Sequence, residues 1–175
     1  IKIAVIDKGV TSNHPDLPNT RQIRLPNSNF AAAEDGSNPN DPSPSSVSPK
    51  NHGDGCAGII GATHNNEGVA GIAPNCKIMP IRIPELATTK TLAKAITFAK
   101  DNGADIISNS WGIKPAVVDS ADIPVIVNAI DSAAIYGRNM RGCVITFAVG
   151  NTADRIEGDT GYAHFPANGS CIRII

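Results

Sequence analysis

Aromatic residues are scarce in this chain, at 4% of 175 residues, against 16 Gly and 13 Pro. Many turns and close backbone approaches are therefore expected. Charge of one sign is also lacking: the formal net charge is −1, which removes the electrostatic argument for nucleic acid or an anionic membrane surface. No apolar run nears the roughly 20 residues of a membrane span. The four cysteines, Cys56, Cys76, Cys143 and Cys171, form no CxxC pair, which argues against a zinc ribbon. All four sit in or beside apolar runs and read as buried thiols; a disulfide among them stays open. Neither a P-loop nor a GxGxxG follows the first strand, which disfavours a nucleotide-binding domain. His14, His64 and His164 share no ligand-like spacing.

What is present alternates between strand and helix. Residues 1–6 are apolar and β-branched, a buried strand. Small and apolar residues over 52–63 suit a tightly packed helix. Residues 77–83 read as a strand whose internal Pro80 points to an edge or a bulge. Leu92, Ala95, Ile96 and Ala99 recur at helical spacing within 91–101, with Thr91 as a cap and Gly103 as the stop. A short strand is expected at 105–109. A longer helix at 122–141 aligns Ile126, Ala129, Ile130, Ala133 and Ala134. Strands are expected at 143–148 and 171–175. The Ser-, Pro- and Asn-rich stretch 36–51 is a surface loop. Such alternation predicts an α/β fold with a doubly wound, mainly parallel sheet and helices on both faces. At this length one domain over 1–175 is expected. The chain opens directly in its first strand, as an excised or processed piece would.

Ligands of such sheets sit beyond the carboxyl ends of strands. Asp7, Ser110 and Asn151 lie just past predicted strand ends. Asp7 closes Val5-Ile6-Asp7 and precedes Gly9. His52 opens His52-Gly53-Asp54-Gly55-Cys56-Ala57-Gly58. Asn151 ends Ala148-Val149-Gly150-Asn151. A carboxylate that orients an imidazole base, with an amide donor for a developing oxyanion, is most of the apparatus of a serine hydrolase.

Around these residues the chain resembles the subtilisin-like serine proteases, the subtilases. Four blocks carry the resemblance: Val5-Ile6-Asp7-Lys8-Gly9-Val10 with His14-Pro15-Asp16-Leu17; His52-Gly53 through Cys56-Ala57-Gly58-Ile59, continuing in Asn65-Asn66-Glu67-Gly68-Val69-Ala70-Gly71-Ile72-Ala73-Pro74; Ile106-Ile107-Ser108-Asn109-Ser110-Trp111-Gly112; and Ala148-Val149-Gly150-Asn151. The resemblance implies that Asp7 orients the base, His52 is the base and Asn151 donates to the oxyanion. It implies that Ser110, Trp111 and Gly112 pair with the backbone of a polypeptide substrate, with Trp111 walling a subsite; a core position for Trp111 is the alternative. It implies no required cofactor. It offers a structural calcium held by Asp16 and Asn65 side chains with carbonyls of Thr63, Glu67 and Val69, oxygen donors that suit this cation. Secretion or a cell-envelope location follows from the family habit.

Three departures stand out. Lys8 replaces the usual Ser or Thr after the aspartate. Asp54 replaces the Thr of His-Gly-Thr, and either acts on His52 or points to solvent. The nucleophile motif Gly-Thr-Ser-Met-Ala is not found in residues 1–175, and Ser170, in Asn168-Gly169-Ser170-Cys171, lacks its context. The expectation is the N-terminal and central part of one catalytic domain, truncated before the serine. Its parent would be a serine endopeptidase; this chain alone would be inactive and would self-associate through the cut sheet edge. The alternative is an inactive pseudoprotease, a subtilase scaffold that binds peptides without cleaving them.

Overall fold

The computed structural model describes residues 1–45, 51–112 and 122–148. The chain divides into two compact units, Ile1–Ala87 and Thr88–Ile175. In the first, strand β1 (Lys2–Asp7) is followed by a single turn α1 (Ala32–Asp35), helix α2 (His52–Gly61) and strand β2 (Lys77–Arg82). In the second, helix α3 (Thr89–Asp101), strand β3 (Ile106–Asn109), helix α4 (Ile123–Met140) and strand β4 (Val144–Phe147) follow in order. β1 pairs with β2 and β3 with β4, both parallel. The fold class is therefore the expected α/β type, with strands joined through helices as parallel pairing requires.

β1 is buried along Ile3–Asp7, as a strand covered on both faces should be. β2 lies beside it with Ile6 opposite Ile81 and Asp7 opposite Arg82. α2 packs on both strands, burying Ala57 and the glycines of its inner face. Pro80 sits opposite Val5. On the outer side of β2, Ile23 N–H donates to the Ile78 carbonyl, and Phe30 N–H to that of Arg82, which itself donates to Ser28. Residues 78, 80 and 82 face the same side of a strand. The N–H that proline lacks therefore falls between these bridges, and the pairing with β1 is spared. The edge position expected from Pro80 holds.

In the second unit α3 packs on α4. Leu92, Ala95, Ile96 and Ala99 are buried from one helix and Ile126, Ala129, Ile130 and Ala133 from the other, as their spacing predicts. Ala134 is only half-buried. Two ends differ from expectation. The cap of α3 is Thr88, in extended conformation, whose side chain accepts from Thr91 N–H; Thr91 is a residue of the first turn. Regular winding of α4 stops at Tyr136, because Gly137, Arg138 and Asn139 have non-helical backbone angles. Gly137 is the pivot: a Cβ there would lie 2.3 Å from Cys143 Sγ. Gly103, at φ +74°, ends α3 where the sequence placed the stop. The strand expected at 171–175 lies outside the described residues.

Thr88→Ala should destabilise the fold by about 1 kcal/mol through loss of the cap, and Thr91→Ala by clearly less. Urea unfolding midpoints of the two variants decide between these caps.

Candidate functional site

Asp7 ends β1 with 3% of its surface exposed. A buried carboxylate must be hydrogen-bonded or it costs several kcal/mol. Here Lys8 N–H donates to Oδ1 at 2.7 Å, and His52 Nδ1 lies 2.8 Å from Oδ1 and 3.0 Å from Oδ2. The imidazole is in the first turn of α2, and its side chain is 55% exposed. With the carboxylate at Nδ1, the favoured tautomer carries its proton there and leaves the Nε2 lone pair to accept another. The pair is thus a solvent-reachable base held by a buried acid.

A glycine contact makes this pairing possible. A Cβ on Gly53 would stand 2.1 Å from the Gly9 carbonyl oxygen. The start of α2 therefore meets the loop after β1 backbone to backbone. Gly9 has φ +109°, a conformation other residues rarely adopt.

The two nearby departures from the family pattern acquire partners. Lys8 Nζ donates to the Pro84 carbonyl at 2.8 Å and lies 3.5 Å from Glu85 Oε2, so its charge serves the turn after β2. Asp54 neither bonds His52 nor stands free in solvent: its carboxylate accepts from Thr11 N–H and Thr11 Oγ1, each at 2.6 Å.

Cys56, one turn beyond His52 on the same helix face, places Sγ 3.8 Å from Nδ1. Asp7, His52 and Cys56 bring their donor atoms within 4.8 Å of one another. Sequence reading grouped all the cysteines as buried thiols. That holds for Cys76 and Cys143, where burial pushes both thiols above their usual range. Cys56 is only half-buried, and its i, i+4 spacing from His52 was the available signal.

A second cluster surrounds Asp16, 5% exposed. Its Oδ2 accepts from Val69 N–H at 3.2 Å, while its Oδ1 is buried without a hydrogen-bond partner. The Asp16 carbonyl accepts from Thr63 N–H at 2.8 Å and from Thr63 Oγ1 at 3.0 Å. Asn65 Oδ1 accepts from Glu67 N–H. A Cβ on Gly68 would lie 2.2 Å from Asp16 Oδ2, so the loop lies directly against the carboxylate. A buried carboxylate oxygen lacking a donor, beside a loop rich in oxygen atoms, fits a hard cation.

Ser110, Trp111 and Gly112 follow β3 in the second unit. Trp111 is half-buried and meets Phe147 edge to face, with ring centroids 5.2 Å apart. Asn151 and Ser170 lie outside the described residues.

Residues 1–170 match the model of the subtilase family, peptidase S8. The chain belongs to the subtilases. It is similar to a calcium-dependent protease of Trichormus variabilis, 34% identical over 173 residues, covering 93% of this chain and 25% of that protein. It is similar to thermitase of Thermoactinomyces vulgaris, 34% identical over 165 residues, covering 92% of this chain and 51% of that protein. Among solved structures a psychrophilic protease superposes with a TM-score of 0.72 at 25% identity, covering 99% of this chain and 52% of the other. This subtilase chain thus spans from a quarter to a half of these relatives. Among the described residues no helix is long and apolar enough to cross a membrane.

Two outcomes follow from the geometry. Gly53→Ala should cost at least about 1–3 kcal/mol, the usual range for overpacking, and should weaken the Asp7–His52 bond; unfolding midpoints and the His52 Nδ1 proton resonance report both. Iodoacetamide should label Cys56 ahead of Cys76 and Cys143, as read by peptide mass spectrometry of the native protein.

Proposed function

We propose that this chain is part of the single catalytic domain of a serine endopeptidase that hydrolyses extended polypeptides. The observation that carries the reading is the Asp7–His52 pair: a buried carboxylate on Nδ1 of a solvent-reachable imidazole, in a chain of the subtilase family. In this reading a nucleophilic serine completes the pair. Its Oγ attacks the scissile carbonyl carbon while its proton passes to His52 Nε2. Asp7 holds the ring and stabilises the imidazolium. Asn151 donates to the oxygen that becomes an oxyanion. The C–N bond then breaks as His52 protonates the leaving amine, and water releases the acyl group by the reverse proton path. Ser110, Trp111 and Gly112 receive the substrate backbone as an added strand. The inactive alternative drew part of its support from Asp54, whose bonding to Thr11 leaves His52 paired with Asp7.

A structural calcium is part of this reading. The orphaned Asp16 Oδ1 supports it, as does the similarity to a calcium-dependent protease. Asp16 and Asn65 side chains with Thr63, Glu67 and Val69 carbonyls would hold the ion. It would neutralise the buried carboxylate and fix the loop. Secretion or an envelope location is proposed on family habit alone; cell fractionation tests it.

In the full-length protein His52→Ala should lower kcat/KM for a peptide substrate by at least about 10²–10⁴-fold, the range general-base catalysis supplies. Unchanged turnover would reject the mechanism. Calcium at 100 times its Kd should stabilise the protein by about 2.7 kcal/mol. Thermal melts with and without chelator should show this gain in wild type and its loss in Asp16→Asn.

A further inference from the structure

Asp54 sits in the His52 segment yet takes no part in the chemistry described. It occupies the first turn of α2, where a carboxylate suits the helix dipole. Asn51, the N-cap, makes no side-chain cap bond. The Asp54 carboxylate reaches out of the helix to a residue 43 positions earlier, taking both donors of Thr11 at 2.6 Å. Such short, charge-assisted bonds are the stronger kind.

Three contacts thereby cross from the end of β1 and the loop after it to the start of α2. Asp7 meets His52, Gly9 meets Gly53, and Thr11 meets Asp54. The middle contact has no side chain on either partner to resist sliding of one backbone over the other. The Asp7 contact fixes one flank, but it is the bond whose charge changes when His52 takes and returns a proton. The Thr11 contact fixes the other flank and takes no part in the proton cycle. Thr11 is itself anchored: its carbonyl accepts from Gln22 Nε2 at 2.9 Å. The Gln22 Oε1 in turn accepts from Arg24 Nη1 at 2.7 Å, and Arg24 also donates to Val10. The loop side is thus a braced platform.

We infer that the Thr11–Asp54 pair is a clamp that positions His52 against Asp7 during proton transfer. The inference rests on the peptidase reading and names a positioning pair for that site. It acts through hydrogen bonds, not through charge on the imidazole. Asn at position 54 keeps the shape: its amide oxygen accepts from Thr11 N–H, and its NH₂ donates to Thr11 Oγ1, which accepts as well as donates. Ala keeps neither bond.

The test uses the full-length protein and the variants Asp54→Ala, Asp54→Asn and Thr11→Val. Misplacement of a catalytic group by about 1 Å costs on the order of 10²-fold. Asp54→Ala should therefore lower kcat by about 10–100-fold with KM within about twofold of wild type. Thr11→Val, which removes one bond and keeps the backbone donor, should fall between. Asp54→Asn should stay near wild type. The His52 Nδ1 proton resonance, read in parallel, should shift or broaden in Asp54→Ala and not in Asp54→Asn. Full kcat in Asp54→Ala would overturn the clamp. So would equal losses in Asp54→Ala and Asp54→Asn, which would point to charge. A lower melting temperature with unchanged kcat below it would overturn it too. If Asp54→Ala does not fold, Thr11→Val decides by the same two readouts. An inactive wild type would reject the peptidase reading, while the proton resonance would still judge the positioning of His52.

Discussion

The approach of Gly53 to the Gly9 carbonyl is the constraint on which the rest of the first unit depends. Two backbones at that distance leave no room for any side chain. Once they are in place, Asp7 at the end of β1 and His52 at the head of α2 come within hydrogen-bond reach without a long side chain having to bridge them. Burying the Asp7 carboxylate is then sustainable, because the helix start brings it an imidazole and the chain itself brings the Lys8 N–H. Separating the two backbones would cost the buried Asp7 carboxylate its imidazole partner.

Much of this was legible because its causes are local. The apolar run before Asp7, the helical spacing of Leu92 through Ala99 and the proline inside β2 each report a nearest-neighbour requirement. The family resemblance added the identity of Asp7 and His52. It could not add the partner of Asp54, because that bond joins residues far apart in sequence and neither residue type announces it. The same limit hid the end of α4. Its residues continue a helical pattern, but Gly137 must turn away where Cys143 returns against it. The cap of α3 was missed more narrowly. Thr88, Thr89 and Thr91 are all competent caps by composition, and only the extended backbone at Thr88 selects among them.

The two clusters in the first unit place different demands on oxygen atoms. Asp7 has donors on its carboxylate from the backbone and from a ring. Asp16 has one donor on Oδ2 and none on Oδ1. The first is satisfied by protein alone. The second keeps one buried oxygen without a donor. α2 joins them, with His52 at its head and Gly61, whose carbonyl accepts from Arg21, at its foot.

The outer side of β2 has a consequence for how this unit meets other chains. A strand edge usually invites a passing chain to zip onto it, one residue after another. Here the segment 22–30 touches that edge at residues 78 and 82 and leaves the stretch between them blank. The blank is Pro80, which has nothing to donate. An intruding strand would have to displace two sets of native bonds to gain a register with a hole at its centre. The covering segment and the proline together leave an intruding strand no continuous register on this edge.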